Sequence, residues 1–339
     1  MNITELKEKI GEKPKTRPVP NMNDVPNGHP AKTMATENDA LLKLVENIEK
    51  NLQSNWNEIV KEFNKLLGIE RHYGKKEKLF MAVLYHRGVT GPSGGMWDAD
   101  DEIKNEIRAI AKELKDSEDE NLRNRIKNVL KRVKLMVRAE TESFLPTSFR
   151  FFTDTDWLEI YRDSFEIGAA FTENIALWEE GEKFRNAPKK TESLENNKLT
   201  FQTGELTLKE LKAIMKFLPV DITFIDKDET LKFFFNERHT FDRPELIIGK
   251  SVYGCHPSKI FAAVEKMMED FKSKKRRCVK QIQMIASRPT AVDYIAVYDE
   301  EDEYIGTVEI VEDYSRAFEY FKLKEKKKVK KEKINPCNI

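Results

Sequence analysis

Apolar positions along the chain fall into two textures. Leu41, Leu42, Leu44, Val45, Ile48 and Leu52 recur at spacings of three and four, one stripe of an amphipathic helix. Just ahead, Thr36-Glu37-Asn38-Asp39 has the form of a capping box with Asp at N3, so a helix start at Thr36 is expected. The same period runs from Trp56 through Ile59, Val60, Phe63, Leu66 and Leu67 to about residue 84, weakened at Gly68 and Gly74. Gly88, Gly91, Pro92, Gly94 and Gly95 predict a break. Helical pattern resumes over 98–114, 121–144 and 155–178, with Pro146 closing the second of these. Helices joined by short loops pack as an up-and-down bundle.

The texture changes after the polar stretch 181–200, which reads as a domain boundary. Thr207-x-x-Glu210 is a capping box opening a short helix over 208–217. Short β-rich runs follow at 221–225, 231–235, 279–286, 292–298 and 304–311. A helix with Ile260, Val264, Met267, Met268 and Phe271 on one face lies between the second and third. That order predicts one antiparallel sheet covered on one face by helices. The fold class expected is therefore an α half followed by an α/β half.

Composition narrows the classes. The chain has 339 residues, roughly two domains' worth. Charged residues make up 35%, and no run of about 18 apolar residues exists, which argues against a membrane-spanning helix. The N-terminal charges have no apolar stretch behind them, so a secretory signal is not expected and a cytoplasmic location is. Lys+Arg and Asp+Glu are equal at 59 each, which leaves no overall basic footprint for nucleic acid. Residues 322–333 hold eight Lys against two Glu, so the remainder of the chain carries about −6. That lysine run lacks interleaved aromatics and reads as a disordered, solvated tail. Cys255, Cys278 and Cys337 are widely spaced without a CxxC, which points to reduced thiols rather than disulfides or a zinc ribbon. Phosphate-loop, dinucleotide and nucleophile-elbow signatures are missing, so output is expected through a protein partner or a homodimer.

Two places carry candidate chemistry. His72 and Glu77 are five apart, some 140° around a regular helix, and a one-residue bulge near Gly74 would bring them toward one face. Glu140, late in a later helix, can face them across a bundle, the way carboxylate and imidazole build di-iron sites. The plainer reading is that such residues are solvated surface charges. Cys255-His256-Pro257 puts a thiol and an imidazole at the entry of a helix, where Pro costs nothing at the first turn. A reactive thiol, a metal ligand or an axial haem ligand is one reading, and a tight helix entry the other.

A resemblance adds to this. His-Tyr-Gly-Lys-Lys-Glu at 72–77, Gly88-Val-Thr-Gly-Pro, Met96-Trp97-Asp-Ala-Asp-Asp, Gly28-His29-Pro30 with Glu37-Asn38, Trp157-Leu-Glu-Ile and Glu166-Ile-Gly168 resemble the bacterial and archaeal hemerythrin-like (HHE) cation-binding proteins. In that family, of unknown function, a PAS domain follows the bundle. Leu218-Pro219-Val220-Asp221, Ile248-Gly249-Lys250 and Cys255-His256-Pro257 resemble motifs of that PAS domain, so the likeness spans about residues 25–315. It implies a hemerythrin-like up-down bundle over 29–180 and a five-stranded PAS domain over 206–315, while composition and charge mark an extended leader over 1–28, a linker over 181–205 and a basic tail over 316–339. By resemblance His29, His72, Glu77 and Glu140, with Asp101, are the metal candidates, holding iron as a pair or a single ion. Phe233, Phe235, Arg238, Cys255, His256 and Met267 are candidates for a small-ligand pocket, with haem as the lesser alternative. The chain also departs from the family. Lys32 stands where a second His is expected, Arg87 stands for another His, and Thr141 replaces a second acid. An ammonium offers no lone pair to a metal, so Lys32 weakens a di-iron site. The function implied is a cytoplasmic sensor or signalling protein. The alternatives are a non-haem iron protein handling oxygen, peroxide or nitric oxide, and a haem-binding PAS sensor.

Overall fold

The structure, a computed structural model, describes residues 16–52, 56–114, 119–187, 198–201, 203–241 and 243–326. It divides into two compact units. One comprises the chain up to Glu192 together with Asp228–Leu231 and Arg243–Lys266, and the other comprises Ser193–Lys227, Lys232–Asp242 and the chain from Met267 onward.

The first unit is helical. Helix α1 spans Pro30–Asn51 and α2 spans Trp56–Lys65. A 3₁₀ turn at Leu66–Gly68 leads into α3 (Ile69–Lys75), a π-helical segment (Lys76–Met81) and α4 (Ala82–His86). Helix α5 covers Gly91–Glu113 and α6 Glu120–Ala139. A second π segment, Glu140–Phe144, joins α6 to α7 (Leu145–Phe151), and α8 (Asp154–Ile167) and α9 (Glu179–Arg185) follow. The core takes Leu41, Val45, Ile48, Ile59, Phe63 and Leu66 from the predicted stripes and packs Ile107, Ile126 and Val133 of the later helices against them.

Several expected boundaries move, each for a local reason. Helix α1 starts at Pro30, six residues before Thr36. His29 is its N-cap, accepting from Ala31 N on Nδ1 at 3.2 Å, and Pro30 takes the first turn. Thr36 Oγ1 instead donates back to Lys32 O within the helix. Gly91 and Pro92 open α5 rather than forming a loop. Pro146 does not end a helix, because the π segment before it widens the turn and Leu145 N bonds to Glu140 O. Helix α8 stops at Ile167, not 178, because Gly168 adopts φ 88°.

The second unit is built on a sheet. A hairpin of β1 (Lys198–Phe201) and β2 (Gly204–Thr207) occupies the end of the stretch expected to be linker and runs two residues past it. Helix α10 (Leu208–Met215) opens on the predicted capping box, with Thr207 N donating to Glu210 Oε2 at 2.8 Å. The main sheet has five antiparallel strands, as expected: β3 (Val220–Asp226), β4 (Leu231–Phe235), β5 (Cys278–Ile285), β6 (Arg288–Tyr298) and β7 (Tyr304–Asp313), in the order β4-β3-β7-β6-β5. Strand β3 alternates half-buried and buried positions, the period-two pattern of a strand with one covered face. Helix α11 (Phe261–Lys272) contributes Met268, whose sulfur lies 3.7 Å from Tyr304 Oη, and Phe271, whose carbonyl accepts from Tyr298 Oη at 2.7 Å. Helix α12 (Ser315–Lys326) follows β7, so the start of the expected tail is helical, and residues 327–339 lie outside the described residues. Most of the expected leader, 1–15, also lies outside them. Among the described residues no helix is long and apolar enough to cross a membrane.

Candidate functional site: a buried charge chain in the helical unit

Five helical segments send charged side chains into the core of the first unit. Glu37 on α1, His72 on α3, Lys76 at the start of the first π segment, Asp100 on α5 and Glu140 at the start of the second π segment are each 0–2% exposed, and Lys75 is 3% exposed. They form a chain of alternating charge. Lys75 Nζ donates to Glu37 Oε1, and also to Gly168 O at 3.0 Å. His72 Nδ1 donates to Glu37 Oε2 at 2.8 Å, and His72 Nε2 donates to Glu140 Oε2 at 3.2 Å. Lys76 Nζ donates to Glu140 Oε1 and to Asp100 Oδ1, the latter at 2.8 Å, and lies 4.0 Å from the Tyr73 ring centroid. Ala170 N adds a donor to Glu37 Oε1 at 3.0 Å.

An ionised carboxylate only accepts, so both His72 ring nitrogens must donate and the ring is an imidazolium. Burial opposes that charge, but Glu140 and Glu37 outweigh it and raise the His72 pKa. Burial would likewise raise Glu140, yet Lys76 and His72 hold its carboxyl down to about 2. Burial pushes Asp100 up to about 7 against the pull of Lys76, and its second oxygen, Oδ2, is buried with no hydrogen-bond partner.

The metal candidates from the sequence distribute differently. His72 and Glu140 come together in this chain. Glu77 lies beside it but is held by Lys104, whose Nζ donates to both carboxylate oxygens at 2.7 and 2.9 Å. Asp101 sits at a half-exposed rim, 3.1 Å from Lys104 and 3.7 Å from Lys259. His29 makes none of its observed contacts with the chain. Its ring is enclosed by Phe149, Trp157 and Trp178, with centroids at 5.8, 4.6 and 4.9 Å, and its Nδ1 lone pair caps α1. Lys32 donates to Met22 O at 2.9 Å. Reading the sequence missed Glu37, Lys75, Lys76 and Asp100.

A hemerythrin-type metal centre needs deprotonated donors converging on one point. Here the donors of Glu37, His72, Glu140 and Asp100 converge on two ammonium groups and on each other. Among the described residues no three His, Cys, Asp or Glu side chains are arranged to hold a metal ion. The residues as arranged therefore do not fit a metal pair.

Burial lowers the His29 pKa to about 4. A depressed imidazole stabilises the fold above its unfolded pKa near 6.5, and that contribution is lost as pH falls toward 4. Denaturant titration of the first unit's helical signal should show a loss of about 2 kcal/mol between pH 7 and 5 from this residue. His29→Phe should flatten the slope in that window, and an unchanged slope would refute the assignment.

In the second unit, Asp221, 1% exposed, accepts from Arg238 N at 2.8 Å and Thr240 N at 2.9 Å. It thereby shapes the loop after β4, and Arg238 Nε donates to Leu218 O at 3.1 Å. Phe233 is 43% exposed, while Phe235 and Met267 are half-buried. Cys255 and His256, in the first unit, are also half-buried, and His256 Nδ1 donates to Val252 O at 2.9 Å. Pro257 caps a 3₁₀ turn, Ser258–Ile260, and α11 begins only at Phe261.

An antiparallel five-stranded sheet placed after a helical unit with a buried carboxylate–histidine chain defines a two-module class of protein. Residues 29–148 match the family model described as a Hemerythrin HHE cation binding domain, and residues 211–315 match that of a PAS domain. The chain is thus a hemerythrin-like protein with a C-terminal PAS domain. No curated protein matches it. Among solved structures, a C-terminal domain from Streptococcus mutans is 26% identical, covering 37% of this chain and 98% of that one at a TM-score of 0.35. A sensory box sensor histidine kinase from Vibrio cholerae is 11% identical over 31% of this chain and 89% of that one, at a TM-score of 0.24. A domain of an HTR-like protein from Haloarcula marismortui is 12% identical over 28% and 98%, at a TM-score of 0.22.

Proposed function

We propose that the chain is a cytoplasmic sensor or signalling protein in which the PAS region takes a small ligand and the helical domain reports it to a protein partner or a second copy. One observation carries this reading: part of the PAS-matched sequence is built into the helical unit. Within that unit Leu246 N donates to the buried Asp163 of α8 at 2.8 Å, and Lys250 Nζ lies 3.1 Å from Glu159 Oε2. Tyr85 of α4 meets Phe261 at a 5.0 Å ring separation and Tyr253 at 6.4 Å. A ligand acts on a distant element only by binding its conformations unequally, and a shared packed segment gives it a route.

Native mass spectrometry of the full chain purified from cells tests this. The reading expects a retained small molecule. Adding that molecule back to stripped protein should slow amide exchange in both Arg243–Lys266 and α8. Protection confined to the sheet strands, or a chain that retains nothing, would refute it.

A further inference from the structure

The buried charge chain is more than an incomplete metal site. Each of its acidic side chains is already neutralised by a protein cation delivered from α3 and the first π segment. Lys76 is the central case. Its ammonium is 0% exposed and bridges Asp100 on α5 and Glu140 on the second π segment, while Tyr73 covers it with an aromatic face. Lys75 does the same for Glu37 at the α1 end. Between them His72 spans Glu37 and Glu140. Facing carboxylates from separate helices of a bundle are the construction that otherwise encloses a divalent cation.

We propose that Lys76 is the resident cation of this bundle: its ammonium, with that of Lys75, replaces the metal of an HHE domain, and its removal opens a divalent-cation site between Asp100 and Glu140. The orphaned Asp100 Oδ2 supports this, being a buried oxygen without a hydrogen-bond partner on the same carboxyl that Lys76 holds through Oδ1. The π geometry supports it too. The first π segment begins at Lys76 and the second at Glu140, so a local widening of the helix sets both members of the central pair. The inference concerns the helical cluster alone and stands or falls apart from the sensor reading.

The test is uptake of cobalt(II) by the full chain, prepared anaerobically, desalted and read by metal analysis and the visible ligand-field spectrum. Wild type should retain far less than one equivalent, and its melting temperature should be the same with and without a chelator. Lys76→Ala should retain about one equivalent, with a chelator lowering its melting temperature. Lys76→Met, which keeps the side chain's length but not its charge, serves if the alanine variant does not fold, and circular dichroism establishes which variant is usable. Wild type retaining one or more equivalents of cobalt or iron that His72→Ala removes would overturn the proposal. A folded Lys76 variant that takes up no more cobalt than wild type would overturn it equally.

Discussion

Replacing Glu140 by Gln is expected to destabilise the helical unit by about 3–5 kcal/mol, read as a shift in the denaturant midpoint of its helical signal. Glu140 is the acceptor for both His72 and Lys76, and all three side chains are excluded from solvent. Gln keeps the shape and one acceptor oxygen but removes the charge, leaving a buried imidazolium and the two buried ammonium groups of Lys75 and Lys76 to share the two remaining carboxylates. A surface control separates this from helix propensity. Glu142, two residues on, pairs with Arg138 at 2.8 Å on an exposed face, and Glu142→Gln should change stability by less than about 0.5 kcal/mol. The pH dependence has a definite sign. A carboxyl held at about 2 contributes stability above its unfolded value near 4.5, and that contribution disappears as pH falls toward 2. The Gln variant should therefore lose stability less steeply on acidification than wild type. Adding Lys76→Met to Glu140→Gln should cost less than the sum of the two single changes, because the pair then leaves together. Strict additivity would mean that the contact contributes nothing.

This cluster also marks the line between what the sequence discloses and what it withholds. The helical unit was legible because its apolar stripe is regular from Leu41 to Leu66, and the sheet because its runs are short and β-rich. The capping box at Thr207 was legible because two residues suffice to make it. The position of His72 on a bundle helix and its meeting with Glu140 followed from period and resemblance. The companions were written into the same period but masked by composition. Glu37 falls in line with Met34, Leu41 and Leu44, and Asp100 in line with Ile103 and Ile107, so each occupies a core position of its helix. In a chain with 35% charged residues a single acid on an apolar stripe looks like noise. Lys76 was hidden differently, because its burial depends on partners 24 and 64 residues away. The helix start at His29 was missed because an imidazole is an unusual cap, made effective here by the aromatic enclosure of the ring.

Replacing Asp163 by Ala is expected to release the segment Arg243–Lys266 from α8. Asp163 is 2% exposed, and its Oδ2 is the acceptor for the backbone N–H of Leu246. Its other oxygen pairs with Arg162 Nε at 2.6 Å, and Arg162 itself reaches Glu245 at 3.7 Å. Alanine removes a charged acceptor and strands a buried donor, a loss of up to about 3 kcal/mol for a hydrogen bond of this kind. Since about 1.4 kcal/mol is tenfold, amide exchange at Leu246 and Ile247 should quicken by roughly 100-fold. Exchange in α1 should stay unchanged, because Glu37 and its partners do not touch this contact. Asp163→Asn keeps an acceptor oxygen and should recover much of the protection. Protection at Leu246 that survives Asp163→Ala would show that the Tyr85, Tyr253 and Phe261 contacts hold the segment alone. The outcome bears on signalling because Leu246 lies within residues matched to the PAS domain, whereas α8 follows the residues matched to the hemerythrin domain. A single carboxylate there joins a PAS-matched stretch to a helix of the first unit that lies beyond the hemerythrin match. Its loss should leave ligand binding measurable while removing the response of α8.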